Sequence, residues 1–281
     1  MPEARVNGIR IHYEEHGAGY PLILAHGYSA TLAMWERQVE ALSAKYRLVL
    51  YDMRGHGQSE APEDFAAYTM EAYAADQAGL LDHLGIEQAF VGGLSMGGMV
   101  ALQFAVTYPE RVRALLLCDT SAENPPGMAE EAERADQIWA VAQRFIAERG
   151  REEFAKRLLA NFQRLPLPNV DPQMQERYVE RMANASLHGH FGASKAVRAR
   201  PSLLPRLPEL AMPTLIIVGD RDPLVPAAAA MKQAIPSART VLFSECGHGT
   251  AAWKPDVFNH VVLDFLEAVE RGEDVAGLYV A

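Results

Sequence analysis

Short, wholly apolar runs alternate with stretches of helical periodicity, and that rhythm leaves this chain few folds. Leu22–Ala25, Leu48–Tyr51, Ala89–Gly92, Ala114–Cys118 and Thr214–Gly219 carry no charge and read as strands covered on both faces. Between them, Thr31–Lys45 reads as a helix with Leu32, Trp35, Val39 and Leu42 on one stripe. Thr69 offers an N-cap to a helix ending near Leu84, with Gly85 past its end. Met96–Tyr108 is a third helix. Strands joined through helices must pair in parallel, with right-handed crossovers. The expected fold class is therefore α/β, with a mostly parallel central sheet and helices on both faces. Ile9–Glu15 alternates apolar and polar residues, as a half-exposed strand does.

The rhythm stops near residue 120. From Ser121 to Pro205 no buried strand is apparent; Glu130–Arg149, Arg151–Gln163 and Pro172–Arg198 read as helices, broken by Pro166, Pro168 and Gly189. It then resumes with Thr214–Gly219, helix Ala227–Ala234, strand Thr240–Phe243 and helix Pro255–Glu270, whose proline suits a first turn. We therefore expect a core in two parts, residues 1–120 and 206–281, with a helical cap, 121–205, inserted after the sixth strand. The cap carries Met128, Trp139, Phe145, Phe162, Leu165, Met182, Leu187 and Phe191, mostly as its own core. The apolar tail Leu278–Ala281 docks either on the body or on another subunit.

Composition narrows the partners. A length of 281 residues suits one large domain, or one with an insertion. The formal net charge of -10 disfavours nucleic acid and anionic membranes. No apolar run is long enough to span a bilayer, and the N-terminus lacks the pattern of a secretory signal. Two cysteines, Cys118 and Cys246, make no disulfide framework, which fits a cytoplasmic location.

Gly93-Leu94-Ser95-Met96-Gly97 lies between an expected strand and an expected helix. In that setting it reads as a sharp turn lifting a nucleophilic serine above the sheet, with glycines where side chains would collide. A serine nucleophile needs a base, and His248 follows strand Thr240–Phe243 on the same sheet edge. The base needs an orienting acid. Asp220 and Asp222 both follow Thr214–Gly219; Asp222 is preferred because the chain must clear the strand end before turning toward His248. The order Ser95, Asp222, His248 is that of the α/β-hydrolase fold.

On these residues the chain resembles the α/β-hydrolase superfamily over nearly its whole length. His26-Gly27-Tyr28 and Asp52-Met53-Arg54-Gly55-His56-Gly57-Gln58-Ser59 stand where family motifs do. Gly92-Gly93-Leu94-Ser95-Met96-Gly97-Gly98-Met99 is especially similar to carboxylesterases and 3-oxoadipate enol-lactonases. The residue after the histidine, Gly249, and Lys254 before Pro255 depart from many relatives. The resemblance implies an oxyanion hole built from the backbone N–H groups of Tyr28 and Met96; the ring of Tyr28 also offers a pocket wall. A helix N-terminus beside Ser95 suits that role physically.

His26, Asp52, Arg54 and His56 lie on two loops without metal-ligand spacing, so loop bracing is the expectation and no metal site is assigned. His26, Met99, Trp139, His188 and Trp253 are pocket candidates. The activity expected is hydrolysis of a small-molecule ester or lactone through an acyl-enzyme, with no cofactor. Enol-lactone opening and C–C bond hydrolysis would use the same triad. A non-catalytic ligand-binding protein of the same fold is the alternative from another class.

Overall fold

The computed structural model describes residues 2–125, 134–162 and 172–281. Among them, nine strands form one sheet: β1 (Glu3–Val6), β2 (Ile9–His16), β3 (Pro21–Ala25), β4 (Arg47–Tyr51), β5 (Ala89–Leu94), β6 (Val112–Cys118), β7 (Thr214–Gly219), β8 (Arg239–Phe243) and β9 (Gly277–Val280). Their order is β1-β2-β4-β3-β5-β6-β7-β8-β9. Only β1–β2 and β2–β4 pair antiparallel; every other pair is parallel. The expected α/β class with a mostly parallel sheet is what the chain adopts.

The apolar strands split their side chains between two cores because a pleated strand points alternate residues to opposite faces. Ile23, Val49, Val91, Leu115, Leu117 and Ile216 enter one cluster. Leu22, Leu24, Leu48, Leu50, Phe90 and Leu116 enter the other. Helix α1 (Glu36–Ser43) lies on the second face, while α2 (Met70–His83) and α3 (Met96–Thr107) cover the first. Thr69 does cap α2, its hydroxyl accepting the Ala72 N–H at 3.1 Å.

Between β6 and β7 the described residues hold only helices: α4 (Ala135–Arg149), α5 (Arg151–Phe162), α6 (Pro172–Asn184), α7 (Leu187–Ala199) and a 3-10 segment, Leu204–Glu209. The expected start at Glu130, the breaks at Pro166 and Pro168, Met128, Leu165, and the side chain of Phe162 lie outside the described residues. Helix α8 (Val225–Ala234) joins β7 to β8. The short α9 (Thr250–Trp253) and α10 (Pro255–Glu270) follow β8.

Two expectations are corrected, one of two alternatives is met, and one strand is new. Thr31–Lys45 is not one helix: Leu32–Trp35 is a 3-10 turn ahead of α1. The Asp52 carboxylate takes the Leu32 N–H at 2.8 Å, and Met34 N–H bonds Thr31 at 3.0 Å, tightening that turn. Pro172–Arg198 breaks not at Gly189 but before Ser186, whose hydroxyl accepts the Gly189 N–H at 3.2 Å and caps α7. Gly189 is helical and packs on Gly55, where a Cβ would collide with the Gly55 carbonyl. The apolar tail is a strand on the body, paired to β8. Strand β1 was not anticipated, although Asn7-Gly8, both with positive φ, is the two-residue hairpin signal joining it to β2.

Candidate active site

The site begins with a backbone that only a forced turn would adopt. Ser95 sits between β5 and α3 with φ 56° and ψ -117°. Such an arrangement costs a non-glycine residue on the order of 1–3 kcal/mol and persists only where the surroundings fix it. They do so here. The Ser95 N–H bonds the Cys118 carbonyl at 2.8 Å, and the Thr120 hydroxyl bonds the Ser95 carbonyl at 2.7 Å. A Cβ at Gly93 would collide with the backbone of Gly97, and one at Gly97 with the Ala25 carbonyl. The two glycines of the motif are steric requirements. Ser95 itself is half-buried at the mouth of this turn.

Adjacent strands deliver the other groups to the same edge. The loop after β7 carries Asp222, and the loop after β8 carries His248. His248 Nδ1 lies 2.8 Å from Asp222 Oδ2. The Asp222 side chain is 0% exposed and that of His248 33%. The Asp222 Oδ1 accepts the Leu224 N–H at 2.9 Å, which fixes the carboxylate. Burial alone would depress the imidazole pKa; the bond to Asp222 and the charges of Asp119 and Asp222 overcome it and hold it above 6.5. Asp220 is occupied elsewhere: its exposed carboxylate accepts the N–H groups of Glu245 and Cys246 at 2.9 and 3.0 Å. It braces the loop after β8 and makes no bond to His248.

The remaining sequence candidates divide. Tyr28 is half-buried; its hydroxyl lies 2.9 Å from His190 Nε2, and the two rings stack at 4.9 Å. Gly27 sits against the elbow, a Cβ there reaching Ser95 Cβ at 3.7 Å, which brings this loop beside the nucleophile. Met96 opens α3, where the first-turn N–H groups lack acceptors within the helix.

His26 does not line a pocket. It is fully buried, with Nδ1 2.8 Å from the Gly27 carbonyl and Nε2 accepting the Met53 N–H at 3.0 Å. Burial lowers its pKa to about 4. Met99 lines a small recess with Met70, Leu102 and Leu203, away from the triad side chains. Trp253 donates its indole N–H to the His248 carbonyl at 3.2 Å, supporting the loop that holds the imidazole. Trp139 and His188 pack together at 4.9 Å, within an aromatic group that includes Phe65 and Phe191. Phe65 belongs to the loop before α2, so this group ties the inserted helices to the core.

A recess of about 580 Å³ of free space, partly open to solvent, lies between the loops after β3 and β4 and helices α6 and α7. Ser29, His56, Arg181, Ser186 and His190 are among its walls; Ser95, Asp222 and His248 are not. His56 and His190 are buried, and burial drives both pKa values down to about 3. The polar loop after β4 is a brace: Arg54 makes a two-point bond to buried Asp76 at 2.6 Å, and Asp52 accepts the N–H groups of Leu32 and Gln58 at 2.8 and 2.9 Å.

Sequence reasoning missed Asp119. It directly follows β6 with φ 46°, fully buried, and Oδ2 accepts the N–H groups of Gly249 and Thr250 and the Thr250 hydroxyl at 3.1, 2.7 and 2.9 Å. The signal available was an acid just beyond a buried parallel strand, on the edge that carries Ser95.

Comparison with known proteins follows the same lines. A sequence profile of the α/β hydrolase fold family matches residues 20–255. The chain is 31% identical to a 2-hydroxymuconate semialdehyde hydrolase of Pseudomonas sp. over 92% of its own length and 91% of the relative's. It is similar to the solved enol-lactonase of Burkholderia xenovorans LB400, with TM-score 0.79 and 29% identity over 95% of this chain and 100% of that one. It is also similar to a thermophilic esterase of Thermogutta terrifontis, with TM-score 0.80 and 30% identity over 95% and 98% of the two chains.

Proposed function

The chain belongs to the α/β hydrolase fold family, and from that premise we propose that it is a serine hydrolase cleaving carboxylic esters of small molecules through an acyl-enzyme. The observation that carries this reading is the 2.8 Å bond between His248 and buried Asp222 on the sheet edge where Ser95 occupies its strained turn.

Ser95 attacks the acyl carbonyl while the free ring nitrogen of His248 takes its proton. Asp222 holds the other nitrogen, which fixes the ring's orientation and stabilises its charged form. The backbone N–H groups of Tyr28 and Met96 receive the oxyanion. The imidazolium hands its proton to the leaving alcohol. Water, activated by the same histidine, then releases the acid and restores Ser95. Every step uses groups of the chain, the substrate and one water molecule. The described helices between β6 and β7 act as a cap over this edge, with Trp139 and His188 among their aromatic side chains. With both cysteines free and buried, the protein suits the cytoplasm.

Opening of an enol-lactone, or hydrolysis of a C–C bond, is the second reading. It draws on the names of relatives at 29% and 31% identity and needs no change in the triad. A panel of p-nitrophenyl acetate and butyrate, lactones and vinylogous diketones ranks the three. A fluorophosphonate probe should modify Ser95, with the adduct mapped by mass spectrometry. Turnover of no substrate class, with Ser95 unlabelled, would instead leave a non-catalytic binding protein.

A further inference from the structure

The environment of Asp119 goes beyond what a strand end requires. One oxygen, Oδ2, receives three donors from the two residues that directly follow His248. The other, Oδ1, is buried and has no hydrogen-bond partner among the described residues. A buried acceptor without a partner is costly, on the order of 1–3 kcal/mol and more for a charged group. The Asp119 charge acts on the imidazole of His248, whose loop the same carboxylate clamps.

We propose that Asp119 is a positioning residue for His248, clamping the chain immediately after the histidine and setting a second buried negative charge beside its imidazolium. Asp222 bonds the ring directly; Asp119 acts through the loop and through space. The electrostatics agree in sign. Burial raises the Asp119 pKa to about 6, opposed by the charge of His248 and the Thr250 bonds and assisted by Asp222. Its charge in turn raises that of His248. The other titratable groups facing it are Cys118 on β6 and Cys246 on the loop after β8. Burial pushes the first thiol well up and the second to about 11, so neither ionises near neutrality. Asp119 and His248, each acting on the other, therefore titrate as a coupled pair.

This inference rests on His248 being the base, and the test keeps the two apart. If the wild-type protein shows ester turnover and a Ser95 adduct, the base reading stands and the variants are informative. Without turnover or adduct, that reading fails and takes this role of Asp119 with it. Asp119→Asn is isosteric: its amide oxygen can still receive the three donors, so it removes charge and keeps the clamp. It should lower kcat roughly tenfold, the rate equivalent of one pKa unit of imidazolium support. Its acid limb should move about one unit to lower pH, with KM unchanged. Thr250→Val removes one donor and keeps the charge; it should lower Tm and leave the acid limb in place. An Asp119→Asn protein that loses Tm but keeps the wild-type kcat and acid limb would overturn the proposal, leaving a clamp alone. Should that variant not fold, the wild-type protein still decides. The His248 imidazole resonance, identified by its loss in His248→Gln, should titrate in two steps; a curve for a single proton overturns the coupling.

Discussion

The sheet edge that carries Ser95, Asp222 and His248 and the helices inserted between β6 and β7 are built on different terms. At the edge, each group is held by hydrogen bonds with main-chain atoms on at least one side: Ser95 by Cys118 and Thr120, Asp222 by Leu224, the His248 loop by Asp119 and Trp253. The insertion is joined to the core mainly through side chains, in the aromatic group of Phe65, Trp139, His188 and Phe191 and the contact of His190 with Tyr28. Ladder geometry tolerates few alternatives, whereas aromatic packing can be rearranged for modest cost. Under the proposed function, the reaction and the choice of substrate are separable. Substitutions at the edge should change rate, and those in the insertion should change affinity.

The sharpest attempt to break that division is Ser95→Ala, which should lower kcat by about four to six orders of magnitude. Retention of most of the rate would remove the edge from the chemistry altogether. Next comes the pair of acids. Asp222→Asn should cost about three to four orders in kcat, while Asp220→Asn, whose carboxylate serves only the turn, should cost less than about tenfold. The reverse ranking would mean that Asp220 orients the base.

Acidity probes both regions at once. Activity should fall as pH drops through a midpoint above 6.5, as His248 acquires its proton; a flat rate down to about pH 4 would exclude a histidine base. Stability has its own window. His26, His56 and His190 have folded pKa values lowered to about 4, 3 and 3, so the unfolded chain binds protons that the folded chain refuses. The contribution of these three histidines is therefore full above 6.5 and lost as pH falls toward those values, by up to about 4 kcal/mol per pH unit for three protons. Asp119, with its pKa raised, opposes this by about one proton between its ordinary value and about 6. Urea titrations at several pH values would measure the net slope, and a stability independent of pH down to 4 would refute the buried neutral histidines.

The smallest effects lie in the insertion. Gly189→Ala should cost about 1–3 kcal/mol, as expected for overpacking, read as a lowered denaturation midpoint. Trp139→Ala should raise KM about tenfold with kcat nearly unchanged. A fall in kcat with KM constant would show that this indole belongs to the reaction, and the separation of the two regions would then be wrong.

Much of the edge was legible because its demands are local. Gly93 and Gly97 announce a turn that no other residue fits, and the buried strands around them fix which way the turn faces. Asp222 could be chosen over Asp220 from the length of chain needed to clear β7. Asp119 was not legible, since its role depends on how β6 and β8 register across β7, and nothing near it in sequence records Gly249 and Thr250. Gly189 misled for a related reason: read locally it breaks a helix, but its partner is Gly55, more than a hundred residues away. The pocket role given to His26 failed because a histidine beside a glycine looks alike whether its nitrogens meet substrate or backbone.

The Gly189–Gly55 contact has a consequence for how such a protein can diversify. Two bare backbones touching at one spot leave the inserted segment moored to the core there, because neither glycine can gain a carbon without pushing the segment away. New specificities should therefore arise away from this contact, on α5, where side chains can grow or shrink while the serine, its base and its acid stay where the sheet holds them.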